Sequence, residues 1–261
     1  MDLALALLLG VIQGVAEWFP ISSKTQIMLT AVYLADVNPA YAYSLGLFLE
    51  SASVIAVLLY YRRVYLKALM GLRGDVEGRR WLLYMAITTA VTGAVGVPLY
   101  LLAREALSIN TARLLMAALG VMVIANALLL QRAGTYRGLK RFDDMSIRDM
   151  ALVGLAQALS ALPGVSRSGA TTATLLLLGY SPAEAFKASF VLAPIAGLGA
   201  AVLAYSAERG AVATAEALLA TAVGVVVSLA TIRALLEFAR SKHVVLVNLV
   251  VGILAAAGAL L

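Results

Sequence analysis

The sequence predicts an all-α polytopic membrane protein: six transmembrane helices and two re-entrant helical hairpins, arranged as an inverted-topology repeat in one domain over residues 1–261. Three observations predict it. Hydrophobic residues fill 62% of the 261 positions and charged residues 13%, and the mean hydropathy is +0.95, values far outside those of soluble domains. Apolar stretches long enough to cross a bilayer alternate with short basic loops. Two polar elbows, each between apolar arms too short to span, recur at a nearly constant offset.

The same composition excludes several classes. With no cysteine and one histidine, His243, neither disulfides nor thiolate or histidine-cluster metal sites can form. The net charge of +6 comes from loops between spans, so it reports topology rather than nucleic-acid binding. Asp2 stands where a signal peptide would carry basic residues, so the apolar N-terminus is not read as a cleaved leader.

Taken in order, Met1 to Phe19 carries Gln13 and Glu17, stops at Pro20, and resumes apolar character from Ile21 to Ala35. Two short arms around a polar elbow suit a hairpin better than one span, because a crossing takes about 20 apolar residues. Tyr41–Tyr61 is a full-length span holding one carboxylate, Glu50, and the basic loop after it (Arg62, Arg63, Lys67, Arg73, Arg79, Arg80) marks the cytoplasmic side. Trp81–Ala103 and Thr111–Leu130 are the next spans, followed by a second basic loop with Arg132, Arg137, Lys140, Arg141 and Arg148. Met150–Leu162 and Gly169–Tyr180 form the second hairpin around Ser166–Gly169, and Pro182–Tyr205, Thr214–Phe238 and Val244–Leu261 complete six spans.

Loop charges make the first hairpin enter from outside and the second from inside, the signature of an inverted repeat. Repeat 1 covers about 1–131 and repeat 2 about 147–261. Gln13 precedes Ser22 by nine residues as Gln157 precedes Ser166, and Asn38–Ala42 (NPAYA) matches Ser181–Ala185 (SPAEA) at an offset of 143, against 144 for the first pair. Such a repeat brings two broken elements to the midplane with helix N-termini facing anionic groups. The two elbows are therefore expected to form one site.

Arg167, inside ALPGVSRSGATT, leads the candidates. An arginine at the bilayer centre costs about 2.5–3.5 kcal/mol on insertion scales and by default marks function. Its guanidinium, with the hydroxyls of Ser166, Ser168, Thr171 and Thr172, supplies what a phosphate needs; a snorkelling arginine and hydroxyls that cap or pack helices are the plainer readings. Glu17 and Glu50 are carboxylates in apolar segments, suited to a general base or a metal ligand. Ser23 is a candidate nucleophile or phosphate donor and Lys24 a phosphate contact, although an elbow lysine can also reach the interface. His243, beside Arg240 and Lys242 at a span boundary, reads as interfacial.

GVIQGVAEWFPISSKTQ and PGVSRSGATT resemble the two signature motifs of the undecaprenyl-diphosphate phosphatase, or bacitracin-resistance, family, and the resemblance covers most of the chain. It implies phosphate-binding roles for Ser166, Arg167 and Thr171, roles for Glu17 and Ser23, a divalent cation such as Mg²⁺, and a site open to the outer face of the cell membrane. The first motif departs from the pattern: Gln13 stands for a usual glutamate, Lys24 for threonine, Thr25 for glycine and Gln26 for the family histidine, while Glu50 stands where the family tends to have glutamine. Glu50 is thus expected to replace the lost glutamate as metal ligand or base.

The resemblance implies removal of the terminal phosphate from a polyprenyl diphosphate, recycling a lipid carrier. The alternative is a transporter or flippase of a polyprenyl phosphate or small anion using the same site without hydrolysis. The expected partners are the lipid substrate and the bilayer, with no nucleic acid; a homodimer stays open as the assembly.

Overall fold

The computed structural model describes residues 2–19, 21–108 and 138–239, with 121, 124, 125, 128, 131 and 132 between them. The predicted span 111–130 lies mostly outside the described residues, and 244–261 with His243 wholly outside. Among the described residues the chain is helical and has no named strand, as its hydropathy predicts: in hydrocarbon the backbone must bond within its own segment.

The first unit is α1 (Leu3–Ala16), an elbow, and α2 (Ser23–Ala35). Asp2 caps α1 by accepting the Leu5 N–H at 2.8 Å. At about 1.5 Å per residue, fourteen residues reach about 21 Å, short of an about 30 Å hydrocarbon core. The second unit repeats this as α7 (Ile147–Leu159), an elbow, and α8 (Arg167–Leu177). The matched NPAYA and SPAEA segments both start helices, capped by Asn38 and Ser181 with proline in the first turn.

Four helical stretches are long and apolar enough to cross: Pro39–Tyr60, Val76–Leu107, Pro182–Ala207 and Ala215–Ala234. Two of them are broken where the sequence reads as continuous. Pro39–Tyr60 comprises α3 (Pro39–Leu49), a 3₁₀ turn (Glu50–Ser53) and α4 (Val54–Tyr60), and the Ser51 hydroxyl donates back to the Phe48 carbonyl at 2.8 Å across the break. Pro182–Ala207 comprises α9 (Pro182–Val191) and α10 (Ala193–Ala207). Pro194, in the first turn of α10, has no N–H to continue the ladder.

The first basic loop is also more ordered than its charges suggest. Arg62–Gly71 forms α5, which buries Ala68 and packs on α6 (Val76–Ser108). Asp75 accepts the Gly78 N–H at 2.7 Å and the Lys67 ammonium at 2.8 Å. The Lys67 bond first, then the amide, holds the Asp75 carboxyl below its ordinary range.

Packing crosses between the halves. α1 lies on α11 (Ala215–Ala239), while α7 lies on α6. Small residues permit both contacts, as membrane helices require: a Cβ on Gly14 would sit 2.6 Å from Val227 Cβ, and one on Gly154 would sit 2.8 Å from Val91 Cβ. The Gly14→Leu variant is expected to lose about 1–3 kcal/mol of stability through overpacking. An unfolding temperature in detergent equal to that of the parent would refute this packing of α1 on α11.

Candidate active site

Both elbows end in left-handed backbone followed by a helix N-terminus. Ser22, with φ 60°, precedes α2, and Gly164, with φ 88°, lies just before α8. A non-glycine residue in that region costs about 1–3 kcal/mol and collects at functional sites. Ser22 shares a 2.8 Å hydrogen bond with Thr25. Ser166 caps α8, accepting the Gly169 N–H at 3.2 Å.

The elbows interlock. The Gly164 N–H donates to Thr25 Oγ1 at 2.9 Å, Lys24 Nζ donates to the Val165 carbonyl at 2.9 Å, and Tyr43 donates its hydroxyl to the Ala161 carbonyl. Arg167 Nη2 meets Glu17 Oε1 at 2.5 Å, joining residues 150 apart in sequence. These contacts hold the two elbows side by side.

A small polar pocket lies between them, lined by Glu17, Ser22, Ser23, Lys24, Glu50, Ser166, Arg167 and Ser168. All eight side chains are buried. Two helix N-termini converge on it, and a positive helix end stabilises an anion by about 0.3–1 kcal/mol, more when partly buried. Two cations and two carboxylates balance formally, yet they are not equivalent. Glu17 is fully engaged: Oε1 takes Arg167, and Oε2 accepts from Ser23 at 2.8 Å and Gln13 at 3.0 Å. Glu50, at the 3₁₀ break, faces Lys24 at 4.0 Å, beyond hydrogen-bond length.

The guanidinium keeps donors in reserve. Beyond Glu17, its Nη1 reaches the Ser189 carbonyl only at 3.5 Å, and Nε is buried with no partner among the described residues. A planar fork with free donors beside serine hydroxyls can grip phosphate oxygens.

The predicted site residues Glu17, Ser23, Lys24, Glu50, Ser166, Arg167 and Ser168 meet in this pocket. Thr171 stands apart from it: its hydroxyl lies 2.8 Å from the Arg167 carbonyl and 2.6 Å from Ser189 Oγ, which ties down the first turn of α8. Lys24 is fully buried rather than reaching an interface. Gln26, at the position of the family histidine, donates to the Ile21 carbonyl at 3.3 Å and so braces its own elbow.

Several contributors had no site role in the sequence reading. Gln13 donates to both Glu17 and Ser53. Its position one helical turn before Glu17 was the available signal. Thr25 and Ser189 act through partners 139 and 18 residues away, and nothing local distinguishes them from ordinary helical hydroxyls.

The residues fit a divalent cation through Glu50. Among the described residues no three His, Cys, Asp or Glu side chains group as ligands, but Mg²⁺ commonly takes one or two carboxylates together with substrate phosphates. Glu50 has the open carboxylate; Glu17 joins only where Arg167 releases it.

The chain matches the family model described as Bacitracin resistance protein BacA over residues 6–257. It is 65% identical to a protein of Pyrobaculum aerophilum named undecaprenyl-diphosphatase, covering 100% of this chain and 98% of that one. A protein of Pyrobaculum islandicum with the same name is 64% identical, over 99% and 97% of the two chains. One of Saccharolobus solfataricus, also so named, is 39% identical over 96% and 93%.

Proposed function

The chain belongs to the Bacitracin resistance protein BacA family, and from that premise we propose that it hydrolyses undecaprenyl diphosphate, or a polyprenyl diphosphate like it, to the monophosphate and phosphate. The observation that carries this is the convergence of Arg167, two helix N-termini and a serine–carboxylate pair in one buried pocket. Transport without hydrolysis gains nothing from these relatives, which are named as diphosphatases.

The pocket volume is about 10 Å³, room for about one water. A phosphoryl group therefore enters as Arg167 exchanges Glu17 for phosphate oxygens, which frees the Glu17 carboxylate at the moment substrate arrives. Ser23 Oγ, already bonded to that carboxylate, attacks the terminal phosphorus while Glu17 takes its proton. The bridging P–O bond breaks, and the lipid leaves as monophosphate carrying the proton away. Water then attacks the phosphoserine, its proton passing to Glu17, and Ser23 is released by reprotonation. Arg167 and the N-terminal amides of α2 and α8 stabilise charge on the transferring group. Glu50 would hold Mg²⁺ where the cation is bound, and the cation would supply neutralisation of the charge developing on the leaving monophosphate.

The inverted repeat is part of the same proposal. It is supported by the matched caps, the paired elbows and the crossed packing of α1 and α7. So is an opening to the outer face. The basic start of α6 sits inside by the positive-inside rule, and the larger cavity beside the site is lined by Gly93, Gly96, Val97 and Tyr100, in the half of α6 toward its other end.

Phosphate release from a long-chain polyprenyl diphosphate by the protein in detergent, with and without Mg²⁺, tests the activity. Release that requires the cation is the expected result. Retained lipid binding without release in either condition would overturn hydrolysis.

A further inference from the structure

Glu50 and Arg167 are walls of two spaces at once. One is the polar pocket; the other is a cavity of about 180 Å³ between α6 and α10, more than ten times what a water needs. Its other walls are largely apolar, including Gly96, Val97, Ala158, Ile195 and Leu203. Its hydroxyls are partly engaged already: Thr92 donates to the Gly154 carbonyl at 3.1 Å, and Tyr100 lies 3.2 Å from Ser44 Oγ. Gln157 is the polar exception, its Oε1 without a partner among the described residues.

Two wall positions stand out. Gly93 on α6 and Gly199 on α10 are both exposed, and a Cβ built on either meets nothing within 4 Å among the described residues. Glycines such as Gly14 and Gly154 are needed where helices touch; these two are not. An exposed, uncrowded glycine on each wall widens the cavity where it opens from the protein.

We propose that this cavity receives the first isoprenoid units of the substrate's tail and that Gly93 and Gly199 set its bore. The proposal rests on the reading of the substrate as a polyprenyl diphosphate. Its occupant follows from continuity: a ligand whose phosphates sit against Arg167 and Glu50 has its first carbons at the walls those residues share with the cavity. An apolar chain is the chemistry that such walls accept, and the exposed glycines mark where the rest of the tail leaves the cavity.

The test compares Gly93→Leu and Gly199→Leu with the parent on two substrates: a long-chain polyprenyl diphosphate, and methyl diphosphate, which has the head without the tail. At least a tenfold fall in kcat/KM for the long-chain lipid, with methyl diphosphate within twofold and an unchanged unfolding temperature, is expected. Equal loss on both substrates, or no loss on the lipid, would overturn it and leave the cavity to bulk lipid. If either leucine variant fails to fold, Val97→Trp and Ile195→Trp narrow the same walls and carry the same reading. Should the parent cleave neither substrate, hydrolysis fails as a function, and equilibrium binding of radiolabelled polyprenyl diphosphate decides the cavity. Binding weakened at least tenfold in the leucine variants sustains it; unchanged binding removes it.

Discussion

The Arg167→Ala variant is expected to lose at least about 10³-fold in kcat for phosphate release, the scale seen when a transition-state arginine or oxyanion donor is removed. Arg167→Lys should recover little, because a point-charge ammonium cannot reproduce a planar bidentate fork. Stability must be separated from chemistry here. Removing Arg167 leaves Glu17 buried and unpaired, and breaking such a pair from one side costs about 3–5 kcal/mol. The double variant Arg167→Ala with Glu17→Gln removes both charges and should regain most of the lost unfolding temperature while staying inactive. Activity above about a tenth of the parent in any of these variants would mean that Arg167 serves the fold rather than the phosphates.

Glu50→Gln is the second large effect, about 10²-fold or more in kcat, with the Mg²⁺ response flattened. It follows from the asymmetry of the two carboxylates: Glu17 is saturated by Arg167, Ser23 and Gln13, while Glu50 stands 4.0 Å from Lys24. A cation that neutralises leaving-group charge contributes several kcal/mol, and of the two pocket carboxylates Glu50 is the one with oxygens to give it before substrate binds. The measurement is a Mg²⁺ titration of the initial rate. Parent-like dependence on Mg²⁺ in Glu50→Gln would assign the cation elsewhere and leave Glu50 as the counter-charge of Lys24.

Local physics made much of this protein legible. Hydropathy marked the membrane stretches, proline with Asn38 or Ser181 marked helix starts, and two polar interruptions in apolar arms marked the elbows. These signals act within a few residues, so they survive without knowledge of the fold. Seven of the eight candidate site residues meet in one pocket because buried charge in hydrocarbon is costly wherever it lies, and the chain gathers it.

What the sequence could not assign was partnership. Glu17 with Arg167, Lys24 with the Val165 carbonyl, and Thr25 with Gly164 all join segments about 140 to 150 residues apart. Hydropathy and spacing say that a charge must be satisfied, not by whom. The breaks at Glu50 and Leu192 and the cavity between α6 and α10 belong to the same category. The sequence by itself determined an all-helical membrane chain with two polar elbows, because solvation acts residue by residue; the tertiary structure decided which carboxylate is bound and which is open, because that depends on which helices pack together.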